Sequence, residues 1–223
     1  MNWMRGKITV QLAALTAAGA LAATLGAAPA VSEEGLPVRG FPGLPVSSSL
    51  PVAEGAELPQ VPQLDLEGYQ GTWHQVAALP HVFSIQCARD TTARYTLTGP
   101  ETVRVVNSCT DWFGNPSGIE GQARVTDPGT GASLRVWFNG VPFQSPDGPT
   151  NYRVAWMSGD GGVVLVGSPD RTTGFVLSRG TSLSAREWSG VRAAVVAAGY
   201  DPCTFLTSPV GGGREDRQPL CVL

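Results

Sequence analysis

The sequence GTWHQVAALP, residues 71–80, decides how the rest of the chain is interpreted. It opens with Gly71 and Trp73, continues through small and apolar residues, and ends at Pro80, a pattern typical of a β-strand that stops at a turn. A second segment, GFVLSR at residues 174–179, has the same character and ends on Arg179. We expect these two segments to be the first and last strands of one antiparallel sheet.

Six further runs of alternating or β-branched residues lie between these two segments, each bounded by turn residues. The predicted strands cover residues 71–79, 89–97, 102–109, 119–126, 132–138, 151–157, 162–167 and 173–179. Short strands joined by short loops predict an all-β fold, an eight-stranded antiparallel up-and-down β-barrel, since closure removes the exposed edges and leaves room for one small ligand. A two-sheet sandwich with a core filled by side chains is the alternative.

One helical segment follows the last predicted strand. Ser184 and Glu187 fit a capping box, and apolar residues recur at helical spacing from Trp188 to Ala198. Gly199 is a natural C-cap. We expect this helix to pack on the outside of the barrel through its apolar stripe.

The segment before the barrel carries different signals. Residues 1–30 have the basic start, the apolar stretch and the small residues before a cleavage site that a secretory signal requires, so we expect cleavage after Ala30. A single transmembrane anchor is the alternative, and no Cys follows the apolar stretch to accept a lipid. Residues 31–62 are Pro- and Gly-rich without periodicity, which predicts a flexible leader. The barrel with its helix is expected over residues 63–209 of a secreted or extracytoplasmic protein, and a tail over residues 210–223.

The chain contains four cysteines, which allow three disulfide connectivities. Cys87 and Cys109 lie almost equally far from the turn at residues 98–100, so a hairpin would place them opposite each other at bridging distance. Cys203 and Cys221 would then tie the tail into a loop. The spacing does not suit a metal site, and none is expected.

Four segments in this order resemble the lipocalin family, and most of all the bacterial outer-membrane lipocalins. They are residues 71–83, 87–109, 152–171, and 175–179 with the helix that follows. The resemblance implies that Gly71, Trp73 and Arg179 form the floor of the barrel, with the guanidinium stacked across the Trp ring. It also implies a protein that binds a fatty acid, a lysophospholipid or a similar apolar metabolite.

The residues expected to line the cavity follow from strand parity, with Trp73 facing inward, and from position in the loops at the mouth. They are Gln75, Ala77, Phe83, Tyr95, Trp137, Phe143, Tyr152, Val154, Trp156 and Phe175. Parity does not decide for Trp137, because Leu134, Val136 and Phe138 compete with it for the interior. Candidates for binding an anionic head group are Arg94, Arg104, Arg135 and Arg153, although an Arg in a strand more commonly points to solvent.

These features predict a carrier of a small apolar ligand, without a cofactor and without catalysis. An interaction or inhibitor protein is the alternative, since the Pro-rich segment at residues 141–149 would suit a binding loop. A lipocalin-type enzyme is the lesser alternative, because no Gly-x-Ser-x-Gly run is present to mark a hydrolase nucleophile. The net charge of −3 argues against nucleic acid as a partner. A small apolar ligand, such as a lipid or fatty acid, is the expected partner, and peripheral contact with a membrane surface is a second expectation.

Overall fold

The computed structural model describes residues 55–223, apart from the side chain of Phe83. The predicted signal peptide and residues 31–54 of the predicted leader lie outside the described residues. The helices are α1 (Leu66–Tyr69) and α2 (Ala185–Ala197), and within residues 55–223 no helix is long and apolar enough to cross a membrane. The strands are β1 (Gly71–Ala78), β2 (Cys87–Gly99), β3 (Thr102–Asp111), β4 (Pro116–Val125), β5 (Ser133–Phe138), β6 (Tyr152–Met157), β7 (Val163–Gly167), β8 (Gly174–Ser178) and β9 (Leu206–Thr207).

Strands β1 to β8 form a closed antiparallel meander. Each strand pairs with the next along the chain, and β8 pairs back onto β1. The predicted eight-stranded up-and-down barrel is therefore confirmed, and the sandwich alternative is not adopted. Helix α2 begins at the predicted capping box of Ser184 and Glu187 and packs on the outside, as predicted.

Two groups of buried residues sit on opposite faces of the barrel wall. The interior cluster fills the barrel and includes Trp73, Tyr95, Tyr152 and Val154. The outer cluster lies under α2 and joins Val191 and Val195 of the helix to residues of β1, β6, β7 and β8.

Two of the register shifts in the barrel change which of the predicted cavity residues face inward. One lies between Gln75 and Ala77 in β1, and the other between Val154 and Trp156 in β6. An extra residue in one strand reverses the alternation of faces beyond it. Ala77 and Trp156 consequently belong to the outer cluster, so their predicted positions in the cavity are wrong.

The chain just before α1 is packed onto the barrel. The Leu58 backbone N–H donates to the Pro169 carbonyl over 2.8 Å, and the Val61 N–H donates to the Val154 carbonyl over 2.9 Å. The Leu58 side chain is 1% exposed and belongs to the outer cluster. These residues fall in the segment expected to be a flexible leader, whereas the structure gives them fixed contacts.

The C-terminal tail completes part of the barrel wall. Strand β2 pairs with β1 only from Gly71 to His74, and beyond that point β9 takes its place beside Ala77 and Ala78. The Asp90 N–H of β2 donates to the Pro209 carbonyl over 2.9 Å, which places the tail between β1 and β2.

Both predicted disulfides are confirmed. Cys87 and Cys109 join β2 to β3 with a Cα–Cα distance of 5.6 Å. Cys203 and Cys221 tie the tail to the chain after α2 with a Cα–Cα distance of 4.9 Å.

Candidate ligand-binding site in the barrel

The closed end of the barrel is built around the Trp73 side chain, which is 1% exposed. Its indole N–H donates to the Tyr69 carbonyl of α1 over 2.9 Å. The Arg179 guanidinium lies 3.8 Å from the centre of the Trp73 ring. Gly71 has φ +95°, and a Cβ there would lie 3.2 Å from the Arg179 Nη1 atom, so glycine allows this approach. The three residues expected at the floor thus lie together.

The direction of the strands shows where the open end of the barrel lies. Since β1 runs away from the floor, the β1–β2, β3–β4, β5–β6 and β7–β8 connections lie at the opposite end. The first three of these connections carry large apolar side chains that are mostly exposed: Val82, Ile85, Trp112, Phe113 and Phe143.

Three buried tyrosines form a hydrogen-bonded chain above the floor. The Tyr69 and Tyr152 hydroxyls are 2.7 Å apart, and the Tyr152 hydroxyl donates to that of Tyr95 over 3.1 Å. Burial raises the pKa of Tyr95 to about 12 and raises the pKa of Tyr69 and of Tyr152 well above the usual value. All three phenols are therefore neutral at physiological pH.

The deep half of the barrel holds little free space. A cavity of about 20 Å³ lies beside the tyrosine chain, which is about the space that one water molecule needs. Its lining is Leu66, Tyr69, Gln70, Tyr95, Val103, Ala123, Leu134, Val136 and Tyr152.

Several apolar side chains in the half of the barrel nearer the mouth are only partly buried. Phe138 and Phe175 are only partly buried and pack against the interior cluster. Asn107 pairs with the buried Ala93 on one side and with Ile119 on the other, which places all three on the interior face. Partly exposed apolar side chains here leave surface that a bound molecule would cover.

Half of the residues predicted for the cavity are on the interior side. Tyr95, Tyr152 and Val154 belong to the interior cluster, and Phe175 packs against it with its ring 5.9 Å from that of Tyr152. Gln75 pairs with the interior residue Leu177 and donates to the Ser208 hydroxyl over 3.0 Å.

Other predicted cavity residues lie elsewhere, besides Ala77 and Trp156. Trp137 belongs to neither cluster, because Leu134, Val136 and Phe138 take the interior face of β5. Phe143 is fully exposed in the β5–β6 connection. The side chain of Phe83 lies outside the described residues.

None of the four candidate arginines lies on the interior face of the barrel. Arg104 pairs with Glu120 over 2.7 Å and Arg153 with Glu57 over 3.0 Å, both on the outer face. Arg135 donates to the Ser145 carbonyl over 2.8 Å, and Arg94 is exposed. The expected anion-binding role is therefore not supported for these residues.

Among the interior residues that were not predicted for the site, Tyr69 and Asn107 carry polar groups. Tyr69 precedes β1, so the alternation of side chains along a strand could not predict that it faces inward. Asp65, at the N-cap of α1, does indicate a short helix there. Asn107 follows Val103 and Val105 at a spacing of two, which was a usable signal for the interior face.

A second cavity lies outside the barrel, between the tail and the start of α2. Its volume is about 300 Å³, and its lining includes Val76, Leu183, Trp188, Val210 and Arg214. Arg214 is paired with Asp216 over 2.5 Å, so its charge is already compensated.

Residues 64–209 match the family model of the lipocalin-like domain. The chain belongs to the lipocalin family. This lipocalin is 32% identical to temperature-induced lipocalin-1 of Arabidopsis thaliana, over 71% of this chain and 86% of the relative. It is 29% identical to the outer membrane lipoprotein Blc of Escherichia coli K12, over 66% of this chain and 79% of the relative.

The fold is also similar to that of solved structures with low sequence identity. Insecticyanin from the tobacco hornworm Manduca sexta superposes with a TM-score of 0.51 at 17% identity, covering 73% of this lipocalin and 93% of the other chain. Lobster apocrustacyanin A1 superposes with a TM-score of 0.50 at 13% identity, covering 69% and 91%. These likenesses show the shared barrel.

Proposed function

We propose that this lipocalin carries a small apolar molecule in the half of its barrel nearer the mouth. Small hydrophobic ligands are what the family generally binds and transports, and the finer assignment rests on this chain. The observation that carries it is the set of partly exposed apolar side chains on the interior face, Phe138, Phe175 and Ile119. Covering such surface stabilises a complex by about 25 cal/mol per Å².

How deeply the ligand can enter the barrel follows from how much of the interior the side chains fill. The cavity of about 20 Å³ beside the tyrosines admits no acyl chain. The ligand therefore lies above Tyr95 and Tyr152, and its inner end meets their rings. A short or compact molecule fits this depth better than a long extended chain.

A place outside the cytoplasm is part of the proposal. Two disulfides favour an oxidising compartment. A relative of this lipocalin is named as an outer membrane lipoprotein. The secretory signal expected at residues 1–30, with cleavage after Ala30, agrees with such a location.

Native mass spectrometry of the protein from its own host, purified without detergent, tests the carrier function. A discrete added mass that disappears on denaturation supports the proposal and identifies the ligand. A bare protein mass that also shows no shift with alcohols, amides or acids of apolar chains contradicts it.

A pair of variants on β4 locates the ligand. Ile119→Lys places a charge on the interior face near the mouth and is expected to weaken binding at least about tenfold. Gln122→Lys places the same charge on the exposed outer face and is expected to leave binding unchanged. Equal effects of the two would place the ligand elsewhere.

An interaction role is a second candidate, favoured by the exposed apolar side chains at the open end. Trp112 is 64% and Phe113 90% exposed, and the Trp112 indole N–H donates to the Ile85 carbonyl over 2.6 Å. This bond joins the β1–β2 and β3–β4 connections into one surface. A second polypeptide in the native mass spectrum, lost in the double variant Trp112→Ser with Phe113→Ser, would support this role over the carrier role.

A further inference from the structure

The three phenol hydroxyls have a defined hydrogen-bond direction. Tyr152 donates its proton to Tyr95, so the proton between Tyr69 and Tyr152 comes from Tyr69, since each hydroxyl has only one to give. The Tyr95 proton then has no acceptor among the described residues. The chain therefore ends in a hydrogen-bond donor inside the barrel.

An unpaired polar group lies on the neighbouring strand. The Oδ1 atom of Asn107 is buried and has no hydrogen-bond partner among the described residues. Asn107 is two residues beyond Val105, which pairs with Tyr95, so it stands one step closer to the mouth on the same face. A buried carbonyl without a partner is costly, and a ligand that donates a proton to it removes that cost.

No charged residue is buried within residues 55–223, where the buried polar residues are all Ser or Thr. At the floor, the Arg179 guanidinium lies against the Trp73 ring and donates to the carbonyls of Gly68 and Thr72. A carboxylate taken into this interior would lose its hydration without gaining a positive partner. An uncharged group would lose far less.

We infer that this lipocalin selects ligands with an uncharged head, a hydroxyl or a carboxamide, and that this head points inward to Tyr95 and Asn107. A hydroxyl can accept the Tyr95 proton and donate its own to Asn107 Oδ1, and a carboxamide can do the same. A carboxylate has acceptors only. The inference rests on the proposed carrier function and narrows its ligand class.

Three ligands of equal chain length, decan-1-ol, decanamide and decanoate, test the inference by calorimetric titration. Decan-1-ol and decanamide are expected to bind with the same affinity from about pH 5 to about pH 8, since neither titrates there. Decanoate enters only as the neutral acid, so its affinity is expected to fall about tenfold for each pH unit above its carboxyl pKa. Decanoate binding at about pH 8 as tight as that of decan-1-ol would overturn the inference.

Two variants test which residues bind the head group of the ligand. Asn107→Leu keeps the size of the side chain and removes an unpaired polar atom, so the fold is retained while decan-1-ol affinity drops about five- to tenfold. Tyr95→Phe leaves the Tyr69–Tyr152 hydrogen bond in place and is expected to lower the affinity for decan-1-ol to a similar degree. Gln122→Leu on the outer face is the matched control. Unchanged affinity in both interior variants would mean that these groups bind only water and would overturn the inference.

The outcomes separate the two proposals. If none of the three ligands binds at any pH, the carrier function itself fails. If all three bind with one affinity, the carrier function stands and the head-group selection is wrong.

Discussion

The Arg179 guanidinium stacks 3.8 Å from the centre of the Trp73 ring and donates to the Gly68 carbonyl over 2.6 Å. A further hydrogen bond, over 3.3 Å, reaches the Thr72 carbonyl. One side chain after β8 therefore contacts α1, the start of β1 and the ring between them. This arrangement closes the floor because it joins the first and last strands of the barrel at the same point.

Replacing Arg179 by Lys tests how much the planar guanidinium contributes. Arg179→Lys keeps the charge but loses the stacking and the forked donors, so the free energy of unfolding is expected to fall by about 1–2 kcal/mol. Urea unfolding measures it. The control is Arg94→Lys on the exposed outer face of β2, expected within about 0.5 kcal/mol of the unchanged protein. Equal losses in both would show that the stacking is not stabilising.

Alkaline pH should destabilise the protein through its tyrosines. Burial raises the pKa of Tyr95 and of Tyr200 to about 12, and the pKa of Tyr69 and Tyr152 also rises. The unfolded chain loses these protons near pH 10 while the folded protein keeps them, so stability is constant below about pH 10 and falls above it. The expected slope is about −1.4 kcal/mol per pH unit for each such tyrosine.

Urea unfolding between about pH 8 and about pH 12 measures this slope. The background is low, because residues 55–223 contain no lysine and no free cysteine. Tyr152→Phe should give a shallower fall than the unchanged protein. A stability that is flat across this range would contradict the burial of the phenols.

Leu58 tests whether the segment before α1 is part of the folded unit. Leu58→Ala removes a side chain that is 1% exposed and is expected to cost about 2–4 kcal/mol of unfolding free energy. Val222→Ala, at a side chain that is 66% exposed, is the control and should cost less than about 0.5 kcal/mol. If Leu58→Ala lowered the free energy of unfolding no more than its control does, the segment would be a flexible leader, as the sequence predicts.

The disulfide of the tail should hold β9 in place. Replacing Cys203 and Cys221 by Ser together is expected to cost about 2–4 kcal/mol and to speed amide hydrogen exchange in residues 206–210. The matched control replaces Cys87 and Cys109, whose separation of 22 residues is close to the 18 of the tail pair. That control should cost a similar free energy but leave the β9 amides protected. Faster exchange in both variants would show that the tail bridge has no local role.

Much of the barrel was predictable because its strands obey simple alternation. Val103 and Val105 in β3, and Ala123 and Val125 in β4, alternate with polar residues and all face inward. The Cys87–Cys109 disulfide was predictable from the turn that lies almost midway between the two cysteines, although register shifts in this hairpin place Cys87 opposite Asp111. Where pairing is regular, the local sequence is sufficient to predict which residues face inward.

The interior was harder to predict where regular pairing breaks. Ala77 and Trp156 were placed in the cavity by parity, but each lies beyond a register shift that carries no distinct signal in the sequence. Contacts with α2 favour their outward positions, and those contacts depend on residues far along the chain. Leu58 was missed for the same reason: a single apolar residue in a Pro-rich segment has no periodicity to reveal its burial.

The position of the tail beside β1 has a consequence for how the protein folds. The hydrogen bond between Gln75 and Ser208 joins residues separated by 133 positions, and it lies where β2 has left the edge of β1. Such distant pairings form slowly, because a long loop must close before any contact compensates for the lost chain entropy. The segment around Ser208 therefore completes the wall that β1 begins, and this part of the barrel is expected to close only after residues 75–208 have been synthesised.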